Sequence, residues 1–156
     1  MKVNGQQVVR LEFTSAVEMV DFVQVVSDHV GRTFGLDDDA LHWVGVAIRE
    51  SVINAIRHGN RNDVFKHVFV EFRVAPAGEA PRLTVCVRDQ GEGFDPDTLA
   101  NPLDPDNLLK PSGRGIFLIR NFMDEVRLQR APEGGMEIRM VKRLNPPEAP
   151  NSSTRT

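Results

Sequence analysis

The chain of 156 residues has one cysteine, Cys86, so it cannot close an intramolecular disulfide. No apolar run approaches the length of a membrane span or a signal h-region, which points to a cytoplasmic protein with no membrane partner. Charge of one sign is not concentrated either: 19 basic and 22 acidic residues are scattered without runs, giving a formal net charge of -3. That balance leaves no footprint for direct nucleic-acid binding and no polybasic anchor. Trp43 and the nine phenylalanines are not interleaved with basic residues, so they are assigned to the core and not to a base-stacking surface. There is no internal repeat. What remains is enough chain for one domain with a substantial core.

Periodicity orders that domain. Residues 8–13 (VVRLEF) alternate as a half-buried strand, and Ser15 to Glu18 offers an SxxE capping box for a helix to about Arg32. Asp37, Asp38 and Asp39 then place negative charge at the start of a longer helix, Ala40 to about His58, closed by Gly59 and Asn60. Val64 to Val74, Leu83 to Asp89 and Met136 to Leu144 alternate with period two, which predicts an antiparallel or mixed sheet covered by helices on one face. Residues 91–112 carry five Asp/Glu and four Pro and show no periodicity, as expected of a long binding loop or lid. Ser112 to Gly115 opens a helix over Ile116 to Met123, followed by a strand at Val126 to Leu128. The domain is expected over residues 1–144, with a disordered Pro/Ser/Thr-rich tail over 145–156.

Three motifs carry chemistry. In AIRESVINAIRHGN, Glu50 and Asn54 lie about 40° apart on a helix whose neighbouring positions are largely apolar. Such a carboxylate needs compensation from a cation, from hydrogen bonds or from a metal; an ion pair with Arg49, Arg57 or Arg114 is the plain alternative. In LTVCVRDQGEGF, Asp89 continues the inward row of Leu83, Val85 and Val87, while Cys86 faces the other way and is assigned no role. Asp89 precedes Gly91 and Gly93, where missing side chains allow a planar ligand to approach, and an acceptor-only carboxylate there suits an exocyclic amine such as that of adenine. In PSGRGIFLIRNF, Ser112 and the glycines at 113 and 115 let amides from Gly113 to Ile116 converge on phosphate at a helix's positive end. An amide oxygen at Asn54 is a suitable hard ligand for Mg²⁺, and Glu50 one turn away can accept a proton.

The ordered motifs ExxxNAxxHG, DxGxGF and a later GxG resemble the N, G1 and G2 boxes of the GHKL (Bergerat-fold) ATPases, and the small domain with NFMDEVRL resembles the bacterial anti-sigma factor serine kinases. The resemblance implies an α+β two-layer sandwich, with a mixed, mostly antiparallel sheet against helices and ATP-Mg²⁺ under a lid. It implies that Glu50 is the general base, Asn54 the Mg²⁺ ligand and Asp89 the adenine contact with Gly91 and Gly93 beside it. It also implies that Arg57 and His58 border the nucleotide, and that Ser112, Gly113, Arg114, Gly115 and Ile116 cradle the phosphates. Proteins of that kind act as homodimers that bind a sigma factor and phosphorylate a serine of an anti-sigma factor antagonist. Two departures stand out: Gly134-Gly135-Met136 where many relatives have Gly-Thr, and Pro111 where some have an arginine, with Lys110 and Arg114 the nearby cations. A non-catalytic, nucleotide-dependent binding module and a histidine-kinase-type catalytic domain are the alternatives.

Overall fold

Each alternating stretch forms a strand, although the one expected from Val64 starts only at His67, because Val64 to Lys66 lie in a turn closed by the Lys66 N–H donating to Asp63 O. In the computed structural model, which describes residues 6–75, 81–92 and 111–144 (backbone alone over 111–114), these are β1 (Gln7–Thr14), β2 (His67–Val74), β3 (Arg82–Arg88), β4 (Glu125–Arg130) and β5 (Met136–Arg143). They make one sheet in the order β1-β2-β3-β5-β4. All four pairings are antiparallel, so among the described residues the mixed sheet reduces to an antiparallel one. The expected loop over 93–110 and the tail from 145 onward lie outside the described residues.

Register converts alternation into two faces. One row across all five strands reads Leu11, Val70, Val87, Ile138, Leu128, and its neighbour reads Val9, Phe72, Val85, Met140, Val126. The central members are buried, Val85 and Met140 completely, and burying a side chain of this size contributes about 1.5–3 kcal/mol. The opposite face carries Arg10, Glu71, Cys86, Arg139 and Arg127 in register. There Glu71 accepts from Arg10 and Arg73 at 2.8 Å each; burial alone would raise its carboxyl, but the two guanidinium groups hold it below the usual range.

Three helices, α1 (Met19–Thr33), α2 (Asp38–Asn54) and α3 (Pro111–Phe122), accompany the sheet. Asp37 caps α2, its Oδ1 accepting the Ala40 N–H at 2.8 Å. The α2 stripe Leu41, Val44, Ile48, Val52 is buried in the hydrophobic core. Helix α1 comes so close to α2 that a Cβ on Gly31 would stand 2.5 Å from Leu41 Cδ1. No helix among the described residues is long and apolar enough to cross a membrane.

Three local expectations are corrected. The capping box does not form: Ser15 is buried and its Oγ donates to Lys66 O, while Glu18 at the head of α1 makes no side-chain cap bond. The long helix is α-helical only to Asn54 and widens into a π turn over Ala55–Gly59, in which the Asn60 N–H donates to Ala55 O. Trp43 is 44% exposed and stacks on Phe122 with centroids 4.2 Å apart, and Phe22 and Phe65 are also exposed, so these aromatics are not core. Trp43 leaves the core because it lies at the outer end of the seam between α2 and α3.

Candidate functional site

Helix α3 runs antiparallel to α2. Phe122 at its end covers Trp43, while Gly115, seven residues earlier, meets the side chains seven and eleven residues beyond Trp43, namely Glu50 and Asn54. A Cβ on Gly115 would stand 2.8 Å from Asn54 Nδ2, 3.4 Å from Asn54 Oδ1 and 3.3 Å from Glu50 Oε2. Glycine therefore lets α3 lie this close to the pair without displacing the Asn54 amide. Both side chains are half-buried. Among the described residues neither has a hydrogen-bond or ion-pair partner, and Arg49, one of the cations suggested for Glu50, reaches Asp21 at 3.4 Å instead. The pair thus faces the N-terminal part of α3, where the macrodipole favours negative charge.

The second centre is Asp89, which is 5% exposed and extends the inward row of β3. Its N–H donates to Met136 O at 3.0 Å, and its Oδ1 accepts from Gly91 N–H at 2.9 Å and Met136 N–H at 3.1 Å. Burial pushes the Asp89 carboxyl above its usual range, the two amide donors opposing without cancelling. Three glycines make room for it. A Cβ on Gly59 would strike the Asp89 carboxylate at Oδ2, one on Gly91 would strike Gly59 O, and one on Gly135 would strike Asp89 O. Gly134 and Gly135 also take positive φ, 99° and 80°, in the turn that brings Met136 to Asp89. The departure seen in sequence at 134–136 is thus the segment that orients Asp89 through backbone alone.

Placement of the remaining candidates is uneven. Ile116 is half-buried in the first turns of α3, and Arg57 and His58 are exposed on the π turn. Gly93 and Lys110 lie outside the described residues. Of Ser112, Gly113 and Arg114 only the backbone is described, and it is helical from Pro111, so Ser112 lies within the first turn and not ahead of it. In sequence, Gly59 and Asn60 mark only a helix stop; their adjacency to an inward Asp89 emerges from the sheet.

Two supports on one sandwich, a polar pair under a helix start and a buried acceptor at the end of a central strand, suit the two ends of an adenine nucleotide. The domain is of the ATP-binding class. Residues 13–142 match the family described as the histidine kinase-like ATPase domain, and the chain belongs to it. Among its relatives, a serine-protein kinase RsbW of Bacillus subtilis (strain 168) is 28% identical over 91% of this chain and 89% of its own length. An anti-sigma F factor of Oceanobacillus iheyensis is 31% identical over 86% of this chain and 91% of its own. The crystal structure of the RsbU and RsbW domains of a Mycobacterium tuberculosis protein superposes with a TM-score of 0.64 at 19% identity, covering 90% of this chain; the chain spans 33% of that one.

Proposed function

We propose that this chain is a cytoplasmic anti-sigma factor that binds ATP and phosphorylates a serine on an anti-sigma factor antagonist. The observation that carries the proposal is the convergence of Gly115 on Glu50 and Asn54, supported by the serine-protein kinase and anti-sigma F factor relatives. In this reading Asp89 accepts the adenine amine, and the phosphates meet the first turn of α3, where the amides of Ser112 and Gly113 have no partner within the helix; those of Gly115 and Ile116, expected in the cradle from sequence, fall past that turn because the helix already starts at Pro111. Exposed Arg57 and His58 border the site.

Mg²⁺ fits the donor set. Asn54 Oδ1 is a hard oxygen in a cradle that a Cβ on Gly115 would fill, and the Glu50 carboxylate beside it stays free for proton transfer. When bound, the ion would supply charge neutralisation along the phosphates. Glu50 holds the proton side of the chemistry. The antagonist's serine Oγ bonds to the γ-phosphorus, the bond from that phosphorus to the β,γ-bridging oxygen breaks, ADP leaves, and the serine proton passes to the Glu50 carboxylate. Sigma factor and antagonist are the protein partners. A homodimer, implied by the family resemblance, completes the proposal, and β1, paired on one side only among the described residues, offers an edge for it.

The test is phosphoserine formation on a purified antagonist incubated with the chain and ATP-Mg²⁺. Wild type is expected to transfer phosphate, and Glu50→Gln to bind ATP but lose transfer by about 10²–10⁴-fold, the range for a lost general base. Nucleotide binding without transfer to any antagonist, with equal sigma-factor regulation by wild type and Glu50→Gln, would favour a nucleotide-ordered binding module instead.

A further inference from the structure

Asn60 closes the opening motif, and the activity just described uses none of its atoms. It is fully buried, and its amide is spent on three separate segments. Nδ2 donates to Ser15 Oγ at 2.7 Å, beyond the end of β1, and to His67 O at 2.9 Å, at the start of β2. Oδ1 accepts the N–H of Gln90 at 2.7 Å. That last bond holds the peptide unit that leaves Asp89. On its other side the same unit is fixed by Gly135, whose close approach is to the Asp89 carbonyl. Gln90 is held a second time through its side chain, Oε1 accepting the His67 N–H at 2.7 Å. The preceding residue, Gly59, supplies the space for the carboxylate. The turn 59–60 therefore does two things at once: it leaves room for Asp89 and it clamps the peptide that sets its direction.

We infer that Asn60 is a positioning residue for Asp89 and thereby sets the preference for a 6-amino purine over a 6-oxo purine. The inference rests on the reading of Asp89 as acceptor for the adenine amine. A buried amide with every group paired would be retained for stability alone, so stability is not its signature. Selectivity is. If the Gln90 peptide is released, the neighbouring Gly91 N–H that Oδ1 accepts is released with it, the carboxylate is left with the Met136 amide alone to orient it, and the loss falls on the ligand that donates to it.

The test is the ratio of dissociation constants for ITP and ATP, measured by competition in Mg²⁺ on the full chain, with melting temperature recorded for each variant. Wild type is expected to prefer ATP by about tenfold or more, the worth of one charge-assisted hydrogen bond. Asn60→Ala is expected to bring the ratio to within about threefold of unity, chiefly by weakening ATP. Asn60→Asp keeps an oxygen for the Gln90 N–H and loses the donors to Ser15 and His67; it should melt lower yet keep the wild-type ratio. Ser15→Ala cuts only the β1 arm and should behave in the same way. Should Asn60→Ala fail to fold, Asn60→Ser, too short to reach Gln90, takes its place with the same expected ratio. A wild-type ratio in Asn60→Ala or Asn60→Ser, or a lost ratio in Asn60→Asp or Ser15→Ala, overturns the inference. Asp89→Ala separates the two levels: an unchanged ratio there refutes the adenine assignment itself, and the role of Asn60 with it.

Discussion

Replacing Gly115 by alanine separates the position of Asn54 from the stability of the fold. The new Cβ would stand 2.8 Å from Asn54 Nδ2. Favourable heavy-atom contacts lie near 3.5–4.0 Å, so the amide must retreat by about 0.7 Å or more. The amide is the end of a rotatable side chain, and strain of roughly 0.5–1.5 kcal/mol covers such a move. Alanine in place of glycine inside a helix returns about 0.5–1 kcal/mol. The two nearly cancel, and the melting temperature should stay within about 4 °C of wild type. Function should not be so tolerant. A metal ligand has to be held within about 0.5 Å, and disturbing the residue that supports one typically costs 10–100-fold in metal affinity. Calorimetric titration with ATP, with Mg²⁺ and then with chelator, should show the Mg²⁺-dependent gain in affinity reduced by about ten- to a hundredfold. The Mg²⁺-free affinity, which rests on Asp89 and on backbone amides that an added methyl leaves in place, should change by less than about threefold. Full Mg²⁺ enhancement in Gly115→Ala would refute the assignment of Asn54. A loss of stability above about 3 kcal/mol would show that Gly115 serves helix packing instead.

Two more predictions concern titrating groups. Because burial raises the Asp89 carboxyl, its ionised form is disfavoured by folding, and the associated stability is lost as pH rises through the raised value. Asp89→Asn keeps Oδ1 as acceptor for Gly91 and Met136, so it should melt no lower than wild type at pH 8, with any advantage shrinking as pH falls toward 4, while binding ATP about tenfold or more weakly because an amide donor now meets the adenine amine. A lower melting temperature at pH 8 would contradict the account. Burial, with Glu137 beside it, pushes the Cys86 thiol up to about 11. Alkylation by iodoacetamide at pH 8 should therefore run about a hundredfold slower than for free cysteine and recover in denaturant; a rate near that of free cysteine would sink this.

Much of the fold was legible because alternation is a strong signal wherever one face is buried. The rows through Val70, Val87 and Ile138 are direct translations of period two, and Asp89 was placed inward by the same count. The pairing of Glu50 and Asn54 with a later glycine was legible as motif order, but their contact with Gly115 required the antiparallel course of α3. What escaped were features decided by tertiary bonds. Ser15 has the form of a helix cap, yet Lys66 and Asn60 are its partners, and neither is near it in sequence. The π turn is equally hidden, since no residue type in AIRHG demands it. The lack of interleaved basic residues argues against a base-stacking surface but does not put Trp43 in the core, and its indole is shared between Phe122 and solvent.

That misplaced indole has a use. It is the sole tryptophan of the chain and lies against the far end of the helix whose near end meets Glu50 and Asn54, about two turns or 10 Å along the axis. Any tilt of α3 as nucleotide enters must slide Phe122 across the indole and change how much of it water reaches. An ATP titration of the unlabelled chain is therefore expected to change its tryptophan emission, and an unchanged spectrum at saturation would show that α3 keeps its place against the indole.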